Sequence, residues 1–413
     1  MSSVRCGIDI TEISRIENAT LKNGRFCERV FTGCEMEYFN SHGKRLEILA
    51  GFFAAKEAFS KYLGTGIRGF EFRDIEVCHD KLGSPFILFK GRKIDCDLSI
   101  SHSGDTAVAV VCGAALGSWD NVDIETRCKM KKLIPLRHDD ANKCDCGRLF
   151  IIAGSKGMTG AATLCAYGAL RSGAGLVTAG TAESEQMILA CKLTEAMTLP
   201  LSCSDGKIDY RAMSEIWRYA EKSDVVAIGP GLGRSGDLRR ILEELVSGYN
   251  KTMIIDADGI NALSENINIL EKKQCDIVLT PHVGEMSRLC GLTAEEIQAD
   301  REGVARDFAI RHGVCLVLKG KETVVADKDG NVFVNPTGNP GMATGGSGDV
   351  LCGVIAAFAA QGLKTFDAAV LGVYIHGLAG DIAAKDKGVH GLIASDVAEC
   401  LPESIKVTQS DVL

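Results

Sequence analysis

The chain lacks an excess of positive charge: 46 lysines and arginines stand against 54 aspartates and glutamates, so the net charge is −8. General binding to nucleic acid or to anionic membranes is therefore not expected. The N-terminal residues contain no long apolar segment of the kind found in signal peptides. Because no apolar run reaches the length needed to cross a bilayer, we predict a cytoplasmic protein.

Metal-binding and nucleotide-binding motifs are also scarce. The chain has 17 cysteines, but Cys144 and Cys146 have the wrong spacing for a CxxC motif, and no group of cysteine and histidine has zinc-site spacing. We predict that the cysteines are small buried hydrophobic residues in a reducing cytosol. The absence of a GxxxxGK[ST] motif excludes a P-loop nucleoside triphosphatase.

The length of 413 residues allows two or three domains. Residues 1–113 carry 15 basic and 15 acidic side chains, so the whole net charge lies in the remainder. Between Ala114 and Cys146 the composition changes to a polar stretch with Gly117, Ser118 and Pro135. We therefore predict one domain over residues 1–118, a linker over residues 119–140 and a second domain over residues 141–405.

The two parts differ in their hydrophobic patterns. The first mixes short strands with one helix and predicts an α+β fold, whereas the second has short apolar runs separated by helical stretches and predicts a mostly parallel α/β sheet. The predicted elements of the first part are strands Val4–Ile10, Phe70–Val77, Pro85–Phe89, Leu98–Ile100 and Ala107–Val111, and helix Ile48–Leu63. Those of the second are strands Leu149–Ala153, Leu176–Ala179, Val225–Ile228, Met253–Ile255, Ile277–Leu279 and Cys315–Leu318.

A glycine-rich stretch in the second part, residues 335–353, precedes a run of small apolar residues that predicts a helix over residues 350–360. Its bare backbone N–H groups and the helix N-terminus favour a phosphate. Asp349 lies where loop becomes helix, and a carboxylate there can take a proton from a group that faces the phosphate. The alternative is a glycine-rich turn with Asp349 as the helix N-cap.

Two carboxylates stand out in the first part. Asp9 ends an apolar strand and Glu57 lies in a helix whose other residues are predicted to be buried. If they converge, they form an oxygen site for Mg²⁺ with positions open for phosphate. The composition by itself favours carboxylates in salt bridges over a metal site, and Lys61 is one turn from Glu57. His102 is predicted to lie alone in a turn.

Residues 3–113 closely resemble holo-[acyl-carrier-protein] synthase, with motifs in the same order as in that family. The resemblance implies a 4′-phosphopantetheinyl transferase fold, assembly as a homo-oligomer based on trimers, and transfer of 4′-phosphopantetheine from coenzyme A to a serine of apo acyl carrier protein, a step of fatty acid biosynthesis. It also implies that Asp9 and Glu57 hold Mg²⁺ and that Lys61 and His102 bind coenzyme A. One departure is Phe52, where the family usually has arginine. The motifs are Gly7–Ile13, Arg25–Thr32, Leu49–Gly66, Phe72–Val77 and Ser99–His102.

Several further loops with glycine follow predicted strands of the second part. The carboxyl ends of strands are where open α/β sheets bind ligands, so the loops together predict one cleft for a nucleotide and a substrate. The loops are residues 153–162, 229–233, 256–263, 280–286 and 318–323.

The order of these loops resembles the ribokinase-like NAD(P)H-hydrate dehydratase family over residues 133–403. The resemblance implies a three-layer α/β sandwich and loss of water from NADHX and NADPHX at the expense of ADP or ATP, with Asp349 as the catalytic base and Mg²⁺ on the nucleotide. Two departures are Asn142–Asp145, where the family usually has His-Lys-Gly-Asp, and Val283, where it has proline. The implied hydrate-binding residues are Ala161, Gly233, His282 and Asp349, and the implied nucleotide-binding residues are Lys319, Gly320, Lys321, Glu322, Thr323 and Gly348.

Two alternatives remain at this stage. A ribokinase-like fold with the same aspartate also suits a small-molecule kinase, whose product would be a stable phosphorylated alcohol. The first part would be only a trimerisation module if its carboxylates had lost their function. Both Asp9 and Glu57 are retained, which argues for the enzyme.

Overall fold

The structure is a computed structural model, which describes residues 4–22, 25–63, 70–94, 96–114, 122 and 124–409. The chain forms two compact units that divide between Cys128 and Lys129, here called the N-terminal and C-terminal units. That division falls within the predicted linker 119–140, of which residues 119–121 and 123 lie outside the described residues, as does part of the motif 49–66.

The N-terminal unit is an α+β fold, as predicted. Strand β1 pairs with β6 and β6 with β5, all antiparallel, and helix α4 packs against β1 and β6. A second antiparallel sheet has the order β2-β3-β4. Its elements are β1 Val4–Glu12, α1 Ile13–Lys22, α2 Phe26–Val30, α3 Gly33–Ser41, α4 Leu46–Leu63, β2 Ile75–His79, β3 Pro85–Phe89, β4 Arg92–Lys93, β5 Cys96–Ser103 and β6 Thr106–Ala114.

Two local predictions in this unit are wrong. The predicted strand Phe70–Val77 begins as a 3₁₀ turn over Phe72–Asp74, and the strand starts only at Ile75. His102 does not lie in a turn, because β5 continues through Ser103 and pairs along its whole length with β6. Polar residues continue the strand there because β5 turns one face to solvent, where alternate positions are exposed.

A buried ion pair joins α3 to α4. Lys56 Nζ lies 2.8 Å from Glu35 Oε2, and neither side chain is exposed to solvent. Lys56 also donates to the carbonyl oxygens of Phe72 and Ile75. The backbone N–H of Val77 donates to Glu35 Oε1 at 2.8 Å. Each charged group therefore has several partners in place of water, which is the condition for burying charge.

The C-terminal unit contains a nine-stranded sheet. Its elements begin with helix α5 Ile124–Leu133, which crosses the division between the units. The strands are β7 Arg148–Ile152, β8 Leu176–Ala182, β9 Met197–Leu201, β12 Val225–Ile228, β13 Thr252–Ile255, β14 Asp276–Leu279, β15 Cys315–Leu318, β16 Val324–Ala326 and β17 Val332–Val334, with a small hairpin of β10 Cys203–Ser204 and β11 Lys207–Ile208. The helices are α6 Thr159–Arg171, α7 Gln186–Lys192, α8 Met213–Ala220, α9 Gly236–Gly248, α10 Asp258–Ser264, α11 Val283–Cys290, α12 Ala294–Ala299, α13 Arg301–His312, α14 Ser347–Ala360, α15 Thr365–Gly391 and α16 Ala394–Gln409.

The strand order is β17-β16-β15-β14-β13-β12-β7-β8-β9. The strands from β9 to β15 are parallel, while β16 and β17 are antiparallel. The chain runs outward from β7 in one direction through β8 and β9, and in the other through β12 to β15. The order therefore reverses between β7 and β12, and the loops after these two strands lie at the switch point where such sheets bind ligands.

Helices cover both faces of this sheet, which confirms the α/β prediction. One face packs alternate strand residues such as Ile228 and Ile255 against helices α8 to α11 and α13. On the other face α14 packs against α6 and strands β7, β12 and β13, while α15 packs against β14 to β16. Strands buried on both faces explain the continuous apolar runs of the sequence.

Helix α15 has 27 residues and a mean hydropathy of 1.2 over its most apolar window, long and apolar enough by composition to cross a membrane. This differs from the prediction that no apolar run is long enough to cross a bilayer. In the structure 83% of that window is buried inside the protein, as in the core helix of a globular domain. The backbone leaves helical geometry at Gly388, where φ is 69°.

The prediction that the cysteines are buried is mostly wrong. Only Cys165, Cys275, Cys315 and Cys352 are buried, and the remaining thirteen are partly or fully exposed. Burial raises the pKa of the Cys275 thiol to about 12, so this group stays protonated.

Candidate functional site

The first candidate site lies where β1 meets α4. Lys61 Nζ donates to Asp9 Oδ1 at 2.8 Å and to the carbonyl oxygen of Ile8 at 2.9 Å. Thr11 Oγ1 donates to Asp9 Oδ2 at 2.9 Å. Burial raises the pKa of Glu57, and the charge of Asp9 raises it further. The structure therefore brings the predicted pair of carboxylates together, with Lys61 beside them.

These carboxylates fit a divalent cation. Asp9 and Glu57 repel each other when both are ionised, which a cation would relieve, and carboxylate oxygens are the ligands that Mg²⁺ prefers. Within the part of the chain that the structure describes, no group of three or more histidine, cysteine, aspartate or glutamate side chains has the arrangement of a metal site. The remaining ligands of a cation here would have to be phosphate oxygens or water.

His102 lies on the same face of the sheet as Asp9. The row of cross-strand partners is His102, Ala107 and Thr11, and Thr11 follows Asp9 by two residues. His102 is thus two strand spacings from β1, about 10 Å. It is exposed at the rim of the site and leaves room for a ligand between it and the carboxylates.

Phe52, the departure from the family pattern, is a core residue. It is 2% exposed, and its ring lies 5.8 Å from that of Tyr38 and 5.9 Å from that of His79. Helix α4 therefore turns this position toward the interior and away from any ligand.

The second candidate site surrounds the start of α14. The helix begins at Ser347, and its N-cap is Gly346 with φ of 91°, a left-handed conformation that glycine adopts without strain. Asp349 is the third residue of the helix, so the reading of Asp349 as N-cap is wrong. The side chain is therefore free for another role at the positive end of the helix.

The carboxyl of Asp349 has a raised pKa and is therefore a weaker acid than an ordinary aspartate. Burial raises the pKa of its carboxyl from 3.8 to about 7, and the negative charge of Asp256 adds to this, while Lys319 opposes it. Asp258 and Glu285 contribute further negative charge. A carboxyl with this pKa exchanges its proton near neutral pH, which is the property of a general base.

Lys319 and Asp256 form an ion pair beside Asp349. Lys319 Nζ lies 2.7 Å from Asp256 Oδ1 and 4.0 Å from Glu285 Oε2. Burial lowers the pKa of Lys319, but the charges of the two carboxylates outweigh it and the pKa is raised. Thr280 Oγ1 donates to the same Oδ1 at 2.7 Å, whereas the buried Asp256 Oδ2 has no hydrogen-bond partner among the residues that the structure describes.

The predicted hydrate residue His282 caps helix α11. The backbone N–H groups of Gly284 and Glu285 donate to His282 Nδ1 at 3.0 and 3.3 Å, and Glu285 Oε2 accepts from the His282 N–H at 2.8 Å. Burial lowers the pKa of His282, and the charge of Lys319 lowers it further. Val283 takes the first helical position, so the loss of the family's proline leaves the cap intact.

Gly233 and Ala161, also predicted to bind the hydrate, lie on loops at the switch point. The Gly233 N–H donates to Asp258 Oδ2 at 2.8 Å, and a Cβ built on Gly231 would lie 2.8 Å from that of Ala161. Between Asp256 and Asp258, Ala257 has φ of 49° and ψ of −116°, which directs the two carboxylates to different loops.

The predicted nucleotide loop follows β15. Lys319 and Gly320 continue the strand end, and Thr323 Oγ1 donates to the Gly320 carbonyl oxygen at 3.0 Å. Lys321 and Glu322 are exposed. Gly348 lies at the start of α14 close to this loop, because a Cβ built on it would be 3.2 Å from Lys319 Nζ. Lys319, Gly348 and Asp349 are thus brought together.

Some residues of this site are not predicted by any pattern in the sequence. The sequence shows Asp256 and Asp258 only as members of a glycine-bearing loop, although Asp256 directly follows the buried strand β13 and Asp258 begins helix α10. Ser347 Oγ lies 3.5 Å from His376 Nε2, and burial lowers the pKa of His376 to about 4. No sequence pattern marked His376, since it stands alone in an apolar helix.

The glycine-rich stretch before α14 is held by two buried polar side chains. Asn335 Nδ2 donates to the carbonyl oxygens of Thr337 and Val373. Asp381 accepts from the Gly338 N–H at 2.9 Å and from Asn339 Nδ2 at 3.0 Å. A loop fixed in this way keeps its N–H groups oriented before any ligand arrives.

A family model described as NAD(P)H-hydrate dehydratase matches residues 149–403, more than half of the chain. The chain belongs to the NAD(P)H-hydrate dehydratase family. The segment shared with the dehydratase family contains every residue of the second site named above. Residues 5–112, which contain the first site, match the model of the 4′-phosphopantetheinyl transferase superfamily.

Individual relatives agree with the dehydratase assignment. The bifunctional NAD(P)H-hydrate repair enzyme of Moorella thermoacetica is 44% identical over 280 residues, 68% of this chain and 53% of the relative. The ADP-dependent (S)-NAD(P)H-hydrate dehydratase of Neisseria meningitidis is 35% identical over 284 residues, 67% of this chain and 90% of the relative. This chain therefore spans about half the length of the first relative and most of the second.

The fold of the dehydratase segment also matches a solved structure. The ADP/ATP-dependent NAD(P)H-hydrate dehydratase of Bacillus subtilis, co-crystallised with ATP and Mg²⁺, has a TM-score of 0.60 and 30% identity. The match covers 70% of this chain and 99% of that one. The ribokinase-like architecture predicted for the second part is confirmed.

Proposed function

We propose that the C-terminal unit dehydrates NADHX and NADPHX to NADH and NADPH at the expense of ADP or ATP. The observation that carries this proposal is Asp349, a carboxyl with a pKa of about 7 at the N-terminus of α14. A carboxyl with this pKa is about half ionised at neutral pH, and its ionised form binds a proton strongly enough to serve as general base toward a hydroxyl.

Water leaves carbon poorly and phosphate leaves it well, so the hydroxyl at C6 of the hydrate has to be phosphorylated first. Asp349 takes the hydroxyl proton as the oxygen attacks the terminal phosphorus, and the bond from phosphorus to the bridging oxygen breaks to release AMP or ADP. Backbone N–H groups of residues 345–348 stabilise the charge on the transferred group. The C6–O bond then breaks, C5 loses a proton, and phosphate and the dihydronicotinamide are formed.

Lys319 and the glycine-rich loop would hold the nucleotide's phosphates, since the ammonium and the helix N-terminus both attract anions. Among the described residues, the buried Oδ2 of Asp256 has no hydrogen-bond partner, so it can accept a hydrogen bond or a cation that a ligand brings. Mg²⁺ bound with the nucleotide would supply charge neutralisation.

The test is incubation of the full chain with NADHX and either ADP or ATP, while the absorbance of NADH is followed. We expect Asp349→Asn to reduce turnover by about 10²–10⁴ with little change in nucleotide affinity measured by calorimetry. Turnover of the variant within a few-fold of wild type would remove the proposed base. A stable phosphorylated product without NADH would instead identify a small-molecule kinase.

For the N-terminal unit we propose transfer of 4′-phosphopantetheine from coenzyme A to a serine of apo acyl carrier protein, which supports fatty acid biosynthesis. The supporting observation is the half-buried pair of Asp9 and Glu57 with Lys61 beside it. Asp9 and Glu57 would hold Mg²⁺, which supplies charge neutralisation of the pyrophosphate. Lys61 and His102 would bind the anionic parts of coenzyme A, and we place both reactions in the cytoplasm.

Mass spectrometry of an acyl carrier protein before and after incubation with coenzyme A and Mg²⁺ tests this activity. We expect Asp9→Asn and Glu57→Gln to abolish the mass increase, because each removes one of two carboxylates, while NADHX dehydration continues and reports an intact chain. Near-normal modification by either variant would remove the metal assignment.

We also propose that the chain assembles as a trimer-based homo-oligomer through the N-terminal unit. Ile8 and Ile10 lie on the face of β1 opposite Asp9 and are 53% and 65% exposed. An apolar strand face of this kind favours burial against another copy. Light scattering on wild type and on Ile10→Lys tests this, and a wild-type monomer with full transferase activity would contradict it.

A further inference from the structure

A polar cavity of about 550 Å³ opens at the switch point of the C-terminal sheet. Its wall carries three cationic side chains: Lys156 from the loop after β7, Lys207 from the β10–β11 hairpin and Arg234 from the loop after β12. Cavities of this size hold cofactor-sized ligands. Met158, 46% exposed, provides an apolar surface on the same wall.

The three loops that carry these cations are tied to one another. Ser155 Oγ donates to the Gly231 carbonyl oxygen at 2.8 Å, and the Lys156 N–H donates to that of Gly206 at 2.9 Å. Lys207 Nζ donates to the Arg234 carbonyl oxygen at 3.2 Å. Gly206 has φ of 72°, and a Cβ there would overlap the Lys156 side chain, so the hairpin turn is seated closely on the first loop. The cationic wall is therefore built before a ligand binds.

The cations are not neutralised by ion pairs. Across the described ranges, Lys156, Lys207 and Arg234 form no salt bridge, and all three side chains are exposed. Two carboxylates also line the cavity. Asp258 accepts from the Gly233 N–H and from Asn261 Nδ2, whereas Asp205 has no such partner in the part of the chain that the structure describes. The wall thus has an excess of positive charge and suits an anion.

Asp258 connects this cavity to the reaction site, because its charge contributes to the raised pKa of Asp349 while its side chain lines the cavity. A ligand that occupies both the site at Asp349 and the cavity has to present an anion to the cationic wall. The hydrated dinucleotides have this property, since their reacting ring is joined to a pyrophosphate and, in NADPHX, to a ribose phosphate.

We propose that Lys156, Lys207 and Arg234 form a phosphate subsite for the dinucleotide substrate, which binds either its pyrophosphate or its ribose 2′-phosphate. This inference rests on the proposed dehydratase function. The subsite contributes binding of a remote part of the substrate and takes no part in proton transfer, so its loss changes KM more than kcat.

The experiment uses the full chain and the variants Lys156→Gln, Lys207→Gln and Arg234→Gln, with NAD⁺ and NADP⁺ as binding probes and NADHX and NADPHX as substrates. Lys222→Gln is the matched control, an exposed lysine after α8 that is outside the cavity lining. Lys207→Arg keeps the charge and should restore binding. Calorimetry gives the dissociation constants, and initial rates give KM and kcat.

We expect each glutamine variant to weaken binding and raise KM by about tenfold, since a charge-assisted hydrogen bond to phosphate is lost. A loss confined to NADP⁺ and NADPHX assigns the subsite to the 2′-phosphate. Equal losses for both dinucleotides assign it to the pyrophosphate.

Dissociation constants within twofold of wild type for both probes would overturn the inference, as would lower kcat with unchanged KM. A wild-type protein that binds neither NAD⁺ nor NADP⁺ would also overturn it. If wild type binds the dinucleotides but dehydrates neither hydrate, the proposed function fails, and the binding of the variants still decides on the subsite.

Discussion

The two units each contain a lysine paired with a buried carboxylate, and the two pairs differ in how completely they are satisfied. In the N-terminal unit, both groups of the Glu35–Lys56 pair are fully buried and share four backbone partners. In the C-terminal unit, Lys319 keeps 17% of its side chain exposed, and one oxygen of Asp256 has no hydrogen-bond partner within the described ranges.

This difference separates a structural pair from one that is available for chemistry. Burial raises the pKa of Glu35 and lowers that of Lys56, so each charge depends on the other, and no capacity is left for a ligand. The Asp256–Lys319 pair instead acts on its surroundings, because Asp256 raises and Lys319 lowers the pKa of Asp349. A buried ion pair is therefore evidence for a site only when an atom remains unsatisfied and solvent reaches it.

Breaking the Glu35–Lys56 pair should have the largest effect on stability. Lys56→Met leaves Glu35 buried without its counter-charge and is expected to cost about 3–5 kcal/mol of the N-terminal unit's unfolding free energy. Phosphopantetheinyl transfer should be lost with the fold, while dehydration persists. Pulse proteolysis of the full chain in urea measures the loss, with the exposed Lys81→Met as control.

The same experiment has an internal check. Replacing both partners, with Glu35→Leu and Lys56→Met together, should recover most of the stability, because no buried charge remains unpaired. A single-variant loss below about 1 kcal/mol would contradict the role given to this pair.

Asp349, which lies beside the Asp256–Lys319 pair, predicts a stability that depends on pH. The pKa of Asp349 is about 7 in the folded chain against an ordinary 3.8, so the folded state binds this proton more tightly than the unfolded state does. Wild type therefore loses stability as pH rises from about 4 to about 7, and little changes above that range. Asp349→Asn carries no charge and escapes this loss.

We expect the stability advantage of Asp349→Asn to be about 2 kcal/mol larger at pH 8 than at pH 5, a value reduced for partial exposure of the carboxyl. Urea unfolding at the two pH values measures it, and Asp367→Asn on α15 serves as the control. An advantage that is the same at both pH values would show that the pKa of Asp349 is ordinary.

A substitution at Gly348 perturbs the Asp256–Lys319 pair to a smaller extent. Alanine there would place a methyl group 3.2 Å from Lys319 Nζ, so the ammonium has to move by a few tenths of an ångström. Because Gly348 is helical and the lysine end is flexible, we expect stability to change by less than about 1 kcal/mol. Dehydration should fall a few-fold in initial-rate assays.

Gly236→Ala, at the first residue of α9 with open space around it, is the matched control for that substitution. Equal rates for Gly348→Ala and the control would mean that the position of the Lys319 ammonium is not critical.

The sequence predicted those features that depend on local pattern. Strands Val225–Ile228 and Cys315–Leu318 have the predicted bounds because strands covered on both faces are continuous apolar runs. Asp9 and Glu57 are 48 positions apart, and only the family resemblance predicts that they converge. The hydrophobic period of a strand or a helix indicates which residues share one face of that element, but it does not indicate which helix packs on which strand.

Other features depend on tertiary structure that no local pattern encodes. The serine and glycine residues around His102 predict a turn, yet pairing with β6 extends the strand through this residue. The pairing of Asp256 with Lys319, which are 63 residues apart, follows from the order of strands β13, β14 and β15 in the sheet. The raised pKa of Asp349 needs both the burial and the acidic neighbours that this order assembles.

Strand β1 also constrains how this gene can change. Asp9 and Thr11 face helix α4, whereas Ile8 and Ile10 face the opposite side, because successive residues of a strand alternate. An insertion or deletion of one codon inside this strand would exchange the two faces and lose the carboxylate and the apolar surface together. A substitution at one of these positions alters one face and leaves the other in place, so a change in length is more damaging to this segment than a change in composition.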